Sequence, residues 1–238
     1  MPNTRSGYPG GKGAVGVYQR IINCMPPHES YVEPFLGAGA VLRHKRPAAR
    51  SIGIDMDNAV IRKWKSASFP SLEIICGNAL KLLSQLKCIQ TDPRRTLVYC
   101  DPPYLYSVRR SNRQIYKREL ATEAQHLQLL RILVALPCMV MLSGYRSPLY
   151  ESIVGHWRQV DFSTVNRAGK RTTETIWMNF PPSSALHDYR YLGTDFRERE
   201  RIKRKRLRWK RRFARMTELE RQAVLLALQS VSSDGLID

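Results

Sequence analysis

The feature that most constrains the fold of this chain is a short apolar segment that ends abruptly in an acid, two prolines and an aromatic residue. Residues 97–100, Leu-Val-Tyr-Cys, are bounded by turn-forming residues, a pattern that predicts a buried strand of a parallel sheet. Asp101-Pro102-Pro103-Tyr104 follows at the carboxyl end of that strand, the edge where open α/β sheets bind ligands. The segment therefore predicts an α/β fold with a ligand site beside Asp101.

The Asp-Pro-Pro-Tyr turn is suited to holding a flat exocyclic amine, such as that of adenine. Proline fixes the backbone and lacks an N–H group, so the Pro102 carbonyl sits in a stiff loop and is free to accept a hydrogen bond. The Asp101 carboxylate and the Pro102 carbonyl can accept the two N–H groups of the amine, while Tyr104 stacks on the base. The alternative is a turn that merely ends a strand, so the rest of the chain has to decide.

The N-terminal segment contains a glycine-rich loop with a lysine. Residues 8–13, Tyr-Pro-Gly-Gly-Lys-Gly, precede an amphipathic stretch at 15–24 that predicts a helix. The spacing is not that of a nucleoside triphosphate loop, so a carboxylate or phosphate bound by backbone N–H groups and Lys12 is the better interpretation. A flexible turn with a solvated lysine is the alternative.

A second glycine turn follows the first predicted strand. Residues 30–41 predict a strand and a turn that lead into a helix through Leu42. Gly37 and Gly39 let the backbone approach a ligand closely at this turn. A lone Gly-x-Gly is weak evidence by itself, but its place between a strand and a helix is where nucleotide-like ligands bind.

Polar residues also follow the next two predicted strands. Residues 51–55 predict a second strand ending in Asp55, where a carboxylate would bind the two hydroxyls of a ribose. The alternative for Asp55 is the N-cap of the next helix, a position for which Asp57 is equally suited. Residues 72–76 predict a third strand, after which Asn78 can reach an adenine ring, although asparagine is also common in turns.

Four motifs occur in order along the chain: Tyr-Pro-Gly-Gly-Lys at 8–12, Val-Glu-Pro-Phe-Leu-Gly-Ala-Gly-Ala-Val at 32–41, Ile-Asp-Met-Asp at 54–57 and Asp-Pro-Pro-Tyr at 101–104. Together they resemble the Dam-like, or D12, class of DNA adenine N6-methyltransferases that use S-adenosylmethionine. The resemblance extends from Tyr8 to about Asn179. It implies an α/β, Rossmann-like methyltransferase fold with S-adenosylmethionine as the cofactor.

The resemblance also implies roles for individual residues. Asp101, Pro102 and Tyr104 would form the catalytic pocket, and Gly37 and Gly39 would line the methionine end of the cofactor. The expected cofactor contacts, to which Asn78 is added from its place after the third strand, are Tyr8, Gly11, Lys12, Glu33, Gly37, Gly39, Asp55, Asn78 and Asp101.

The cysteines give no sign of a metal site, and none is expected. They have no paired Cys-x-x-Cys spacing and lie mostly in apolar runs, which predicts buried free thiols. The five residues concerned are Cys24, Cys76, Cys88, Cys100 and Cys138.

Residues 105–120, directly after the Asp-Pro-Pro-Tyr turn, are polar and basic with two interleaved tyrosines. Such a loop beside a pocket suits a DNA strand whose target base is flipped out, and the alternative is a solvated insertion. The candidate nucleic-acid contacts in this loop are Arg109, Arg110, Arg113 and Lys117.

The remaining core elements complete a sheet. Thr122 is expected to begin a helix that ends near Leu136 and places Leu127, Leu130 and Val134 on one face. Further strands are predicted at 139–143, 160–163 and 175–179. With the earlier four they make a seven-stranded, mostly parallel sheet of the methyltransferase type.

The chain departs from the Dam-like pattern ahead of the Asp-Pro-Pro-Tyr turn, where those enzymes normally carry a separate recognition domain. Residues 79–96 can hold little more than a helix and a turn. Sequence choice would then come from residues 105–120, from residues 166–173 or from the tail, and a short or relaxed recognition sequence is expected.

The tail is a second compositional unit. Residues 196–215 are crowded with arginine and lysine but keep a narrow apolar stripe, which predicts one long basic amphipathic helix. A capping box at 217–220 then starts a second helix through Val231. We expect a methyltransferase domain at 1–190 and a basic helical extension at 191–238; the alternative is a solvated, partly disordered tail. The stripe residues are Ile202, Trp209, Phe213 and Met216, and the candidate nucleic-acid contacts are Arg204, Arg208, Trp209 and Arg212.

The charge of the whole chain points to a polyanionic partner. The 238 residues carry a formal net charge of +19, which favours nucleic acid first and an anionic membrane surface second. No apolar run approaches a membrane-spanning length, and no signal peptide is recognisable. The expected location is the cytoplasm of a prokaryote, or of the host cell if a phage encodes the chain.

The expected function is transfer of a methyl group from S-adenosylmethionine to N6 of adenine in DNA, with double-stranded DNA as the expected form and the oligomeric state left open. One alternative is an RNA adenine methyltransferase, since the base-holding turn does not distinguish the sugar. The other is a nucleic-acid-binding protein with an inactive core. The presence of Asp101, Lys12, Gly37 and Gly39 argues against a decayed site.

Overall fold

A computed structural model describes residues 12–13, 16–67, 69–105, 122–165 and 171–233 of the chain. The chain divides into two units, at 1–189 and 190–238. The first unit is a seven-stranded sheet with helices, and the second consists mainly of two helices.

The strands of the first unit lie in the order β3-β2-β1-β4-β5-β7-β6. The five strands β1 to β5 run parallel, and β7 runs antiparallel to both of its neighbours. The predicted Rossmann-like, seven-stranded, mostly parallel sheet is confirmed. The strands are β1 Ser30–Glu33, β2 Arg50–Asp55, β3 Leu72–Cys76, β4 Thr96–Cys100, β5 Met139–Gly144, β6 Arg158–Val165 and β7 Arg171–Met178.

The apolar run that precedes Asp101 forms the centre of this sheet. All five residues of β4 are buried, as expected for a parallel strand with both faces covered. The strand order reverses between β1 and β4, because the chain adds β2 and β3 on one side and β5 on the other. Ligands of open α/β sheets bind at such a switch point, next to the carboxyl ends of the strands. The fold therefore brings the ends of β1 and β4 together.

The helices of the first unit connect the strands. The predicted helix at 15–24 is shorter than expected, and its residue 15 lies outside the described residues. Between β3 and β4 the chain forms only two short helices and 3-10 turns at 83–85 and 93–95, so this segment holds no further domain. The helices are α1 Val17–Ile22, α2 Ala40–His44, α3 Asn58–Lys65, α4 Ala79–Leu82, α5 Lys87–Thr91, α6 Glu123–Ala135 and α7 Pro148–Val154.

The start of α6 was predicted correctly from its N-cap. The Thr122 hydroxyl accepts a hydrogen bond from the Gln125 backbone at 3.3 Å, and the Gln125 side chain accepts one from the Thr122 backbone at 3.2 Å. This reciprocal pair satisfies two backbone donors that the first turn of a helix leaves free.

The predicted apolar face of α6 is confirmed for Leu130, which is fully buried, and is wrong for Val134. Val134 is 45% exposed, whereas Leu133 and His126 are fully buried. The histidine can occupy the core because its Nδ1 atom pairs with the Tyr150 hydroxyl at 2.9 Å, which satisfies a polar group that burial would otherwise penalise. The face is therefore rotated relative to the predicted one, and its buried residues are His126, Leu129, Leu130 and Leu133.

The second unit contains the long basic helix α8 Phe196–Ala214 and the helix α9 Glu218–Ser233. Asp195 caps α8 by accepting a hydrogen bond from the Glu198 backbone at 2.8 Å. The predicted capping box of α9 is present, since the Glu220 side chain accepts from the Thr217 backbone at 2.7 Å. The sequence of α8 contains eight arginines and three lysines against two glutamates. The basic amphipathic helix is confirmed.

Three of the five cysteines are buried, but Cys24 is half-buried and Cys76 is exposed, so the expectation of buried thiols is wrong for Cys76. Cys76 ends β3, the edge strand of the sheet, and its thiol donates to the Asn58 side chain at 3.0 Å. All five thiols are free.

Within the described residues, no cluster of three or more His, Cys, Asp or Glu side chains is arranged to hold a metal ion. In the same part of the chain, no helix is long and apolar enough to cross a membrane.

The observed buried face of α6 predicts that two neighbouring substitutions differ strongly in their effect on stability. Leu133→Ala removes a fully buried side chain and should lower the free energy of unfolding by roughly 2–5 kcal/mol. Val134→Ala changes an exposed position and should stay within about 0.5 kcal/mol of wild type. Urea unfolding of the two variants measures both effects, and equal losses would show that the face is wrongly placed.

Candidate active site

The candidate active site forms around Asp101, which follows β4 in the middle of the sheet. Its Oδ1 atom accepts a hydrogen bond from Ser143 Oγ at 2.8 Å and lies 2.9 Å from Lys12 Nζ. Ser143 Oγ lies 3.1 Å from the buried Tyr99 hydroxyl, which holds it in place. Among the residues that the structure describes, none donates a hydrogen bond to Asp101 Oδ2 or to the Pro102 carbonyl. One carboxylate oxygen is thus fixed, and two acceptors of the turn remain open.

The ammonium of Lys12 is the positive charge of this site. The residue is 5% exposed, and Nζ lies 2.9 Å from Asp101 Oδ1, 2.9 Å from Glu174 Oε2 and 2.6 Å from the Tyr104 hydroxyl, to which it donates. Burial alone would lower the pKa of Lys12, but the charge of Asp101, followed by Tyr104 and Glu174, raises that pKa well above its ordinary value. Lys12 is therefore a cation throughout the physiological pH range.

Two carboxyl groups share this one ammonium. Burial raises the pKa of Asp101 above its ordinary value; the Lys12 ammonium opposes that shift and the Glu174 charge adds to it. When both acids are ionised, Lys12 neutralises only one of the two negative charges. In that state the cluster of Lys12, Asp101 and Glu174 has a surplus negative charge, which favours a cationic ligand.

Tyr104 is held in place by both its hydroxyl and its ring. The hydroxyl accepts from Lys12, and the ring centroid lies 4.4 Å from that of Tyr145 at an angle of 45°. Tyr145 follows β5, and its hydroxyl lies 3.4 Å from Thr172 Oγ1 on β7. The two tyrosines thus form a small aromatic wall beside Asp101.

The glycine turn after β1 has the backbone conformation that only glycine adopts without strain. Gly37 and Gly39 have φ of +45° and +56°. A Cβ atom at Gly39 would overlap the ring of Trp64, whose Nε1 donates to the Gly37 carbonyl at 2.9 Å. Trp64 is buried on α3 and is covered by the Arg43 guanidinium, 3.9 Å from the ring centroid. Trp64 therefore packs against the glycine turn and holds it in place.

Asp55 lies where the sequence placed it, at the carboxyl end of β2. Its Oδ2 atom accepts from the Gly37 backbone at 2.9 Å and its Oδ1 atom from the Asp57 backbone at 2.8 Å. The N-cap of α3 is Asp57, whose side chain accepts from the Ala59 backbone at 2.7 Å, so the alternative role for Asp55 does not apply. Asp55 thus joins the glycine turn to the end of β2 and retains lone pairs for further donors.

Glu33 ends β1 and is 3% exposed. Its Oε2 atom accepts from the Tyr31 hydroxyl at 2.8 Å. Burial raises the pKa of Glu33 to about 8; the Tyr31 hydrogen bond opposes the shift, and the Asp101 charge adds to it. Glu33 is therefore largely protonated at neutral pH.

Among the other sequence-predicted residues, the structure gives Asn78 a role of its own. Asn78 is the N-cap of α4, where its side-chain oxygen accepts from the Leu80 backbone at 2.9 Å. Tyr8 and Gly11 lie outside the described residues, as do Arg109, Arg110, Arg113 and Lys117. The remaining candidates belong to α8 in the second unit and are exposed: Arg204, Arg208, Trp209 and Arg212.

Residues 56–172 match the model of the D12 class N6 adenine-specific DNA methyltransferase family. The chain belongs to this family. It is therefore an enzyme that uses S-adenosylmethionine and transfers a methyl group to adenine. The matched segment of this D12 class methyltransferase includes the Asp-Pro-Pro-Tyr turn but neither Lys12, the glycine turn nor Glu174.

Three solved structures resemble the fold of the D12 class methyltransferase. 23S rRNA methyltransferase ErmE is 10% identical over 80% of this chain and 75% of its own, with a TM-score of 0.45. Precorrin 8W decarboxylase from Methanobacterium thermoautotrophicum is 12% identical over 72% and 92%, with a TM-score of 0.44. A dimethyladenosine transferase from Plasmodium falciparum is 14% identical over 69% and 62%, with a TM-score of 0.44. No curated protein matches the sequence.

The residues at the switch point fit S-adenosylmethionine. The close approach of Trp64 leaves no room for a side chain at Gly39, so the turn presents bare backbone to a ligand. Asp55 offers carboxylate oxygens at the next strand end, where ribose hydroxyls would bind. The surplus negative charge around Lys12 matches a ligand that carries a sulfonium cation.

Several residues of this site were not predicted from the sequence, namely Trp64, Tyr99, Ser143, Tyr145 and Glu174. Ser143 and Tyr145 had a usable signal, because they lie at the carboxyl end of an apolar strand, Ser143 within the end of β5 and Tyr145 directly after it. Glu174 also had one, since a lone acid in the last strand of the sheet has to be exposed or paired. Trp64 had none, because a tryptophan in an amphipathic helix is most often a core residue.

Glu33→Gln should flatten the pH dependence of folding stability. The folded-state pKa of Glu33 is about 8 against an ordinary value of 4.5, so the fold favours the protonated acid. This contribution to stability is complete below the ordinary pKa and is lost as the pH rises towards 8, by at most about 1.4 kcal/mol per pH unit. Urea unfolding from about pH 5 to 8 should show wild type losing more stability than Glu33→Gln.

The matched control is Glu73→Gln, which removes an exposed carboxylate on β3. Its stability should follow the wild-type pH dependence. Parallel curves for wild type and Glu33→Gln would mean that Glu33 is not held protonated by the fold.

Proposed function

We propose that this D12 class methyltransferase methylates N6 of adenine in DNA, with Asp101, Pro102 and Tyr104 as the base-binding turn. The observation that carries the proposal is the asymmetry of Asp101: Oδ1 is fixed by Ser143 and Lys12, while Oδ2 has no donor among the described residues. A carboxylate fixed in this way is preorganised to accept a hydrogen bond from a substrate.

The chemistry follows from what the open acceptors do to an amine. The N6 amine is a poor nucleophile because its lone pair is delocalised into the ring. When its two N–H groups bond to Asp101 Oδ2 and the Pro102 carbonyl, the lone pair localises on nitrogen and faces away from both acceptors. Bound S-adenosylmethionine would supply the electrophilic methyl group, with its C–S bond breaking as the new N–C bond forms. Asp101, whose pKa is raised by burial, accepts the proton that the amine then loses.

The aromatic wall explains how a single base would be held. Tyr104 cannot rotate freely, because Lys12 anchors its hydroxyl and Tyr145 packs against its ring. A flipped adenine would stack on this wall, and such stacking contributes roughly 1–3 kcal/mol per base. We propose that Arg109, Arg110, Arg113 and Lys117 contact the phosphates of the same strand.

The remaining cofactor contacts are proposed from the same geometry. Asp55 would accept the ribose hydroxyls, and Gly37 and Gly39 would line the methionine end. Glu33 and Lys12 would lie close to the charged groups of the cofactor. Tyr8, Gly11 and Asn78 complete the proposed set.

The proposed recognition sequence is short or relaxed. Only short helices and turns lie between β3 and β4, so no domain there can read bases. Each good base contact gives discrimination of about 1–3 kcal/mol, and a few loop residues can make only a few such contacts.

The function is tested by incubating the enzyme with isotopically labelled S-adenosylmethionine and, in separate reactions, duplex DNA, single-stranded DNA and RNA. Nucleoside analysis should find label in N6-methyldeoxyadenosine, and sequencing should map it to a short or degenerate site. Label only in RNA would replace DNA as the substrate, and label on cytosine would overturn the amine-holding role. A single site of six or more fixed bases would contradict relaxed recognition.

Asp101→Ala should lower the rate of methyl transfer by on the order of a hundredfold or more, the usual loss when one preorganised acceptor is removed. The fold should survive, because Lys12 keeps Glu174 as its ion-pair partner. Single-turnover kinetics with labelled cofactor measures the loss. Glu73→Ala, which removes an exposed carboxylate, is the control, and near wild-type rates for Asp101→Ala would exclude the mechanism.

Helix α8 is proposed to bind DNA phosphates. Replacing Arg204, Arg208 and Arg212 with glutamine removes three charges and keeps Trp209 and the apolar stripe. The slope of log affinity against log salt should become shallower by roughly 0.9 for each phosphate that the helix no longer neutralises, whatever the DNA sequence.

The control for α8 removes the same number of charges elsewhere, by glutamine substitutions at the exposed Arg62, Lys63 and Lys65 of α3. Its salt slope should stay at the wild-type value. An unchanged slope in the α8 variant, with a normal melting temperature, would show that α8 is a solvated extension.

A further inference from the structure

Glu174 is a buried acid with no role in the function proposed so far. It lies on β7, is 6% exposed, and falls outside the segment that matches the family model. Its Oε1 atom accepts a hydrogen bond from Thr164 Oγ1 at 3.2 Å. Its Oε2 atom lies 2.9 Å from Lys12 Nζ, an ion-pair contact that lacks hydrogen-bond geometry. The Glu174 carboxylate is therefore held by β6 through Oε1, and it acts on Lys12 through the charge of Oε2.

We infer that Glu174 is a positioning residue of the methyl-transfer site: it holds the Lys12 ammonium against Asp101 Oδ1, so that Asp101 Oδ2 stays turned towards the base. The inference rests on the proposed function, in which Oδ2 accepts a hydrogen bond from the substrate amine. Glu174 itself touches neither substrate nor cofactor in this account.

The three partners of Lys12 come from two different parts of the fold. A lysine side chain has four rotatable bonds and does not hold one place without fixed partners. Asp101 and Tyr104 belong to the same turn, and in the proposed function both contact the substrate. Glu174 comes from a different strand, which the hydrogen-bond ladder to β5 and β6 keeps in register. Glu174 is thus the partner whose position does not depend on the bound base.

Glu174 brings a second negative charge to the buried ion pair of Lys12 and Asp101. Lys12 and Asp101 already neutralise each other, so stability does not call for a second buried carboxylate, which costs free energy to desolvate. What this acid adds to the site is its charge, which a neutral residue of the same shape would not supply. That charge holds the ammonium by attraction from the side opposite the catalytic turn.

The charge of Glu174 has a measurable effect on its neighbours. The titratable groups that act on Lys12 are Asp101, Tyr104, Glu174 and Tyr99, and Asp101 in turn acts on Glu33. Glu174 contributes to raising the pKa of both Lys12 and Asp101. Glu174→Gln keeps the shape of the side chain and removes the charge, so the pKa of each neighbour should fall. A change in packing alone would not shift the pKa values of Lys12 and Asp101 in the same direction.

The test compares wild type, Glu174→Gln, Glu174→Asp and the control Glu151→Gln, which removes an exposed carboxylate paired with Arg146. The first readout needs no cofactor: competitive labelling of lysines with acetic anhydride across a pH series, with Lys12 followed by peptide mass spectrometry. At a fixed alkaline pH, Lys12 of Glu174→Gln should be labelled about tenfold more than in wild type, which corresponds to a fall of one pKa unit.

The second readout is the pH profile of kcat for methyl transfer to DNA. In Glu174→Gln the acidic and the alkaline limb of this pH profile should both move to lower pH. At the optimum pH, kcat should fall about tenfold or more, while KM for DNA should change little, because the defect lies in positioning. Glu174→Asp keeps the charge and should retain the wild-type limbs with a reduced kcat. Glu151→Gln should match wild type in both readouts.

An unchanged Lys12 labelling profile in Glu174→Gln, or unmoved limbs with kcat within about twofold of wild type, would overturn the inference. If Glu174→Gln does not fold, Glu174→Asp decides, since a wild-type kcat in that variant excludes a positioning role. If wild type itself transfers no methyl group, the proposed function fails, but the labelling readout still reports on Glu174 and Lys12. The two failures are therefore distinguishable.

Discussion

The ion cluster around the buried Lys12 ammonium is the interaction on which the candidate active site depends. A charge at 5% exposure is tolerated only with close partners, and Lys12 has two carboxylates and a phenol within 3 Å. Those partners come from the Asp-Pro-Pro-Tyr turn and from β7, so one ammonium joins the N-terminal segment, the centre of the sheet and its antiparallel strand. Removing the charge would leave two carboxyl groups facing each other in a buried site.

The parallel sheet explains why this cluster lies next to a cofactor site. Parallel strands end at a common edge, and the reversal of strand order between β1 and β4 opens a crevice there. Asp55 and the glycine turn line one side of the crevice, and Asp101 lies on the other. The fold therefore places groups suited to a ribose, a cationic centre and a flat base along one edge.

Much of this arrangement could be predicted from the sequence, because the strands are short apolar runs and their polar ends mark the ligand edge. The positions of Asp101 and Asp55 at the carboxyl ends of strands could be predicted in this way. The face of α6 was predicted only in part, since spacing alone did not show that His126 would find a buried partner in Tyr150. Glu174 was missed for a related reason. Its partner Lys12 lies at the other end of the chain, and no local pattern reports a contact between segments so far apart in sequence.

The most direct test of this account is the coupling between Lys12 and Asp101 in the free energy of unfolding, measured in urea at neutral pH. Asp101→Asn removes one buried negative charge, and its effect should be compared in wild type and in Lys12→Met. If the ammonium balances the two acids, the substitution should favour folding more in the Lys12→Met background, by about 1 kcal/mol or more. An effect of Asp101→Asn that is the same in both backgrounds would contradict the claim that Lys12 holds the site together.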